Sequence, residues 1–355
     1  MQQGSDITPL HLCLFNHESS TSSTVVSLKI LSLVPEERDI LEVKSSLNEQ
    51  HAAETPLSLA AVTLLSVVGV QNAVAQEQGC YTSNGIVCYG ALSNAEIQHF
   101  LKKYSVITGT TELNILRIDS NPNIQHLPAG LLADLRFSEI VITSCPQLSR
   151  VDDITGASSA SVKVLQLHGN ALTEMPKLTA PGLAKVTINQ PTTMTVSRSA
   201  FSGMKNIQEL HIESASVRPL AFFDLKKLQT LRIISMPQET VRAQSFSFDS
   251  PVLKEVLLFN DVFRWKGQAE PGAYQGFPKG SRLKIIESET LTKEVYLGVL
   301  SGGGHLEIPE PFDCDCRLAW LRLSPLLKQT SVRCLTAQWP INLEDKPESD
   351  FSDCK

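Results

Sequence analysis

The residues best suited to chemistry in this chain of 355 residues are its eight cysteines and a few of its histidines. Four of the cysteines crowd the tail. PFDCDCRLAW, Pro311 to Trp320, carries Cys314 and Cys316 one residue apart, and Cys334 and Cys354 follow. Thiols in such a set serve either as zinc ligands or as disulfide halves. The C-x-C spacing and the lack of a histidine near the tail weigh against zinc. Two cysteines this close do not readily bridge each other, but they can staple two separate loops to one spot. Cys80 and Cys88 bracket CYTSNGIVC, while Cys145 and Cys13 stand apart.

The remaining chemistry is sparse. The chain holds no G-x-S-x-G, no H-E-x-x-H and no phosphate loop. The glycine-rich SGGGH, Ser301 to His305, reads as a turn. No cofactor, metal site or catalytic set is expected, and the chain reads as a non-enzyme.

The elements that must position these cysteines repeat. From Leu113 onward, L-x-x-L-x-L recurs, followed by a polar or small residue. Copies begin at Leu113, Phe137, Val162, Leu183, Ile207, Leu228, Leu253 and Leu283, spaced by 24, 25, 21, 24, 21, 25 and 30 residues, and HLEI ends the series at Ile308. This is the period of the leucine-rich repeat. In each copy a short strand turns alternate side chains to opposite faces. The leucines point inward, and several coils must stack to bury them. A second signature returns the chain on the convex side: SAFSGM, LAFFDL, GAYQGF and EVYLGVL. The pieces between strands are too short for doubly wound crossover helices. The expected fold is an α/β solenoid, a leucine-rich-repeat horseshoe with short parallel strands on the concave face and disulfide-stapled caps. The residues outward on that face include His168 and His211, two coils or roughly 10 Å apart, too far to share a zinc ion.

A solenoid leaves an open edge of leucines that needs a cap. The tail closely resembles the C-terminal cysteine cap of extracellular leucine-rich-repeat proteins, and that resemblance implies the pairs Cys314–Cys334 and Cys316–Cys354. CRLAWLRLSPLL then reads as a short helix offering Leu318, Trp320, Leu321 and Leu323 to the last coil. Cys80 and Cys88 look like a reduced N-terminal cap with one disulfide. Cys145 fills the position held by Asn121 and Asn170 in neighbouring repeats and reads as a buried free thiol. The wording of residues 121–152 is similar to a repeat style of arthropod secreted proteins, the group of the non-catalytic subunit of Oplophorus-luciferin 2-monooxygenase. This resemblance spans about residues 80–355 and implies a non-enzymatic partner of another secreted protein.

Residues 56–75 read as a secretory signal: an apolar run from Leu57 to Val70 ends in Ala73-Val74-Ala75, small residues at the positions a signal peptidase accepts. A buried core helix or a short anchor is the alternative. Residues 1–55, which include Cys13, read as an upstream-extended gene model or a pro-segment and are assigned no fold. The organisation expected is thus leader 1–55, signal 56–75, N-terminal cap 76–112, repeats 113–308 and C-terminal cap 309–355. The formal net charge of −6 falls to −1 once the eight acidic and three basic residues before Gln76 are set aside. That balance gives no reason to expect nucleic acid or an anionic membrane as a partner. No N-x-S/T sequon occurs.

The sequence therefore points to a secreted, extracellular binding or accessory subunit that holds a protein partner on its concave face, with no membrane span in the mature chain. The alternative is an innate-recognition or receptor-like module that binds a glycan or microbial ligand. Outward strand positions are polar in the early repeats: Arg117, Asp119, Gln166, His168, Thr187 and Asn189. Later they become Arg232, Ile234, Leu257 and Phe259, with Trp265 soon after. Apolar residues facing out of a strand gain nothing from the coil interior, so this group is the expected partner-binding site. The competing reading is that the extra loop of the 30-residue repeat folds back over it.

Overall fold

A computed structural model describes residues 78–237, 240–259, 268–286 and 291–354 in full, together with the backbone of 25–29 and 42–46. The signal expected at 56–75, Cys13 and Trp265 lie outside the described residues. The chain divides into two units, Met1–Ala75 and Gln76–Lys355. In the first, Val25–Lys29 pairs antiparallel with Glu42–Ser46, a strand pair in the leader where the sequence showed no period.

The second unit is built on one sheet. Its strands are β1 (Gly79–Ser83), β2 (Gly85–Tyr89), β3 (Glu112–Asp119), β4 (Arg136–Thr143), β5 (Val164–His168), β6 (Lys185–Asn189) and β7 (Glu209–Val217). They continue with β8 (Thr230–Ser235), β9 (Glu255–Leu258), β10 (Arg282–Ile285), β11 (His305–Phe312), β12 (Thr330–Cys334) and β13 (Ile341–Asn342). Their order across the sheet is their order along the chain. Every neighbouring pair from β2 to β12 is parallel, and only the end pairs, β1 with β2 and β12 with β13, are antiparallel. The sheet is thus large, open and mostly parallel, and it grows by one strand per turn of the chain.

The leucine spacing fixes this register. Leu165, Val186, Leu210, Leu231, Val256 and Leu283 stand side by side across six strands. A second row two residues on runs through Leu167, Ile188, Ile212, Ile233, Leu258 and Ile285. Both rows are buried. Each such side chain removed from water contributes roughly 1.5–3 kcal/mol. A one-residue slip of any strand would turn its row out to solvent, so the burial itself pins the pairing.

Just past the strands, polar side chains tie one coil to the next. Asn121 Nδ2 donates to the Leu92 carbonyl at 2.8 Å, and Asn170 Nδ2 donates to that of Ile142 at 3.0 Å. Cys145 occupies the same place between them, fully buried and unpaired. Its backbone N–H donates to Asn170 Oδ1 at 3.1 Å. On the far side of the core the second signature closes the coils with rings. Phe201, Phe222, Phe246, Tyr274 and Tyr296 follow one another at centroid separations of 6.1, 5.9, 5.5 and 5.5 Å. That is little more than the spacing of about 4.8 Å between strands, so each coil contributes one ring to a continuous pile.

Among the described residues the α-helices are α1 (Asn94–Thr108), α2 (Lys293–Ser301) and the single turn α3 (Ala319–Arg322). The sequence reading placed no helix at α1. Its start signal is a capping box, with Ser93 Oγ accepting from Glu96 N–H and Glu96 Oε2 accepting from Ser93 N–H at 2.7 Å. Ile97 and Leu101, four apart, pack it onto the first coil. The tail helix expected from CRLAWLRLSPLL is corrected: it is broken into a 3-10 turn, α3 and a second 3-10 turn at Pro325–Gln329. Pro325 ends the first run, and Ser324 caps the next through Leu326 N–H. Leu318 and Leu321 are buried as expected, whereas Leu323 is 52% exposed.

Candidate functional site

Side chains that alternate with the buried rows face outward in rows of their own. One runs from Arg117 through Val141 to Gln166 and Thr187. It continues through His211, Arg232, Leu257 and Lys284 to Glu307. Early members of this face are mainly polar and partly exposed. Val141 is the exception, buried between Arg117 and Gln166. The reading that singled out the polar early positions passed over it.

The structure brings the four expected site residues into one block. Arg232 on β8 is in direct register with Leu257 on β9. One step past the Ile233–Leu258 pair, Ile234 lies beside Phe259, whose N–H donates to the Ile233 carbonyl at 2.7 Å. Arg232 and Phe259 are exposed, Phe259 at 38%, and Ile234 and Leu257 are half-buried. Ile286, whose N–H donates to the Leu258 carbonyl at 3.0 Å, continues the apolar row and is half-buried. The sequence reading missed it, although it ends LKII with an apolar residue at the outward parity. Glu213, one step past Ile212 on β7, flanks Ile234 from the other side. It was missed too, because nothing in its own repeat sets it apart.

Charges around the block are largely paired. Lys185 meets Glu209 at 3.1 Å, and Glu307 takes Lys284 at 2.6 Å and Arg282 at 3.4 Å. Gln166 donates to Glu139 at 2.7 Å. His211 has its pKa lowered by burial first, then by the Lys185 and Arg232 charges, with Glu209 opposing, so its ring is neutral at neutral pH. His168 lies two coils away, its Nε2 at 3.2 Å from Gln166 Oε1. The two histidines therefore share the outward face without sharing a ligand.

Six of the cysteines lie at the two ends of the sheet. Cys80 and Cys88 are opposite partners in the β1–β2 hairpin and form a disulfide. Cys314 joins Cys334 and Cys316 joins Cys354, with Cα separations of 5.3 and 5.1 Å. All four tail thiols are consumed, which leaves no thiolate for zinc. Trp320 sits half-buried beside them, its ring N–H donating to the Leu291 carbonyl at 3.3 Å. Burial pushes the Cys145 thiol pKa up, with an Asn121 hydrogen bond opposing and the Asp119 charge adding to the rise, so the thiol stays protonated and inert.

Among the described residues, no group of His, Cys, Asp and Glu is placed to hold a metal ion, and no helix is long and apolar enough to cross a membrane. A cleft of about 510 Å³ lies beside Arg150, Asp152, Glu174 and Lys177, away from the outward block. There Asp152 accepts from His126 and from Arg150, each at 2.8 Å. No protein-family model matches the chain, and no curated protein matches it significantly.

Proposed function

We propose that this chain is a secreted, non-enzymatic leucine-rich-repeat protein that holds a protein partner on the outward, concave face of its sheet. One observation carries the reading. A sheet whose strands follow chain order, with leucine rows buried behind it, presents Arg232, Ile234, Leu257 and Phe259 as one contiguous partly exposed block. Apolar side chains left partly exposed on that face gain less than those of the buried rows, and a clustered set of them is a contact surface suited to a partner. An aromatic at the centre of such a patch carries about 2 kcal/mol or more of binding energy.

Three disulfides fit an oxidising compartment. The boundary between the two units falls at Ala75, the bond where the signal is expected to be cut. The resemblance to extracellular leucine-rich-repeat proteins, and to the arthropod accessory-subunit group, favours a role beside another secreted protein.

The test is expression of the full chain in secreting cells, as wild type and as the Leu257→Asp/Phe259→Asp double variant. Secreted wild type is expected to begin at Gln76 and to co-purify with a defined protein. The variant is expected to be secreted at the same level without it. Unchanged co-purification removes this block as the site. Lost secretion shows that the two residues belong to internal packing.

A further inference from the structure

Next to the apolar block, the outward face carries an acid with an oxygen that the neighbouring strands leave unsatisfied. Glu213 projects from β7 one step past the Ile212–Ile233 pair, beside Ile234. The residue is half-buried, yet its Oε2 is shielded from solvent and has no hydrogen-bond partner. Arg232, in register with His211 two residues earlier on β7, is exposed and makes no ion pair with it. Diagonal neighbours on adjacent strands lie about 7–8 Å apart, within reach of two long side chains. Elsewhere on the same face the charges do close, as Lys185–Glu209 and Lys284–Glu307 show. A carboxylate with one oxygen cut off from water and from any donor is poorly solvated, so a cation that meets the half-buried group from the outward face has most to gain here.

We propose that Glu213 is the charged anchor of the apolar block, and that it receives the ammonium or guanidinium group of a basic residue in an extended protein segment. A neighbouring apolar side chain of that segment then lies on Ile234 and Phe259. The inference rests on the protein-partner reading and adds the chemistry of the partner. Charge complementarity selects a cation for Glu213, and Ile234 with Phe259 beyond it select an aliphatic or aromatic side chain. In an extended segment, residues two apart face the same way at about 7 Å. That distance falls between the separations of one and two strands, about 4.8 and 9.6 Å, that divide Glu213 from Ile234 and from Phe259. A Lys or Arg two residues from a Leu, Ile, Phe or Met spans the block.

The experiment uses the full chain, immobilised, and a phage-displayed library of random dodecapeptides as the probe. Wild type, Glu213→Gln, Glu213→Asp and Phe259→Asp are compared, with thermal melts confirming that each is folded. Enriched peptides are expected to carry a Lys or Arg beside or two residues from an apolar side chain. Synthetic copies should bind Glu213→Gln at least about tenfold more weakly, lose affinity as salt rises, and retain more binding with Glu213→Asp. Peptides without a basic residue, or peptides that bind Glu213→Gln as well as wild type yet fail on Phe259→Asp, overturn the anchor and leave the protein-binding reading standing. If Glu213→Gln does not fold, salt-insensitive binding to wild type overturns the anchor instead. Enrichment no better than on a blank surface, or binding indifferent to Phe259→Asp, overturns both.

Discussion

Leu210 and His211 are adjacent on β7 and face opposite ways. Leu210 is fully buried between Val186 and Leu231, whereas His211 stands half-buried on the outward face. Leu210→Ala is expected to cost roughly 2–5 kcal/mol, the sum of lost transfer energy and the cavity left behind. His211→Ala should cost under about 0.5 kcal/mol. Urea melts of the two variants check this, and equal losses would mean that the strand register is off by one. The sequence made this contrast legible because a period of two inside each coil and a period near 24 between coils agree at every copy. Tyr274 was not legible in the same way. Its ring belongs to the aromatic pile between Phe246 and Tyr296, but its hydroxyl is fully buried without a partner, and burial holds its pKa well above the usual tyrosine value. Phenylalanine fills the same space without the stranded hydroxyl. Tyr274→Phe should therefore gain about 1 kcal/mol. A loss of that size in the same melts would reveal a hydroxyl partner.

At the scale of the element, what the sequence showed depends on how local the signal is. Strands β3 to β11 each carry their own alternating aliphatic residues and stood out one by one. Helix α1 carries only a four-residue capping box, Ser93 to Glu96, in a segment with no repeat to compare. The broken tail helix was misjudged at Leu323 because an apolar residue beside Leu321 looks inward until Pro325 ends the turn. Close approach between coils is a further constraint at this scale. Gly276 has φ of +72°, and a Cβ there would collide with the Phe248 carbonyl oxygen of the preceding coil. Gly276→Ala should thus cost more than about 1 kcal/mol, since both the backbone conformation and the coil spacing oppose it. A melt unchanged from wild type would show that the coils are less tightly apposed. The caps are the other elements under test. Removing the Cys316–Cys354 bridge, which spans 38 residues, should cost about 2–4 kcal/mol. Peptide maps taken without reduction should contain the three pairs with Cys145 free, and a peptide linking Cys145 to any of the six would refute the pairing.

For the whole molecule, the outward face is where residue and element meet. No single repeat contains the block. Arg232 and Ile234 come from one coil, Leu257 and Phe259 from the next, Ile286 from a third, and Glu213 from the coil before. Outward parity was readable within each copy, so four of these residues were found in the sequence. The shielded, unpartnered oxygen of Glu213 exists only once neighbouring coils are stacked, which is why it was not. The central claim is that a protein partner sits on this block. Photo-crosslinking in the secreted chain tests it most directly, with a crosslinking amino acid placed at Phe259 and, in a second chain, at exposed Ser202 beside the aromatic pile on the far side of the core. The account predicts a discrete adduct with a second secreted protein from position 259 and none from position 202. An adduct from 202 with none from 259 would contradict it.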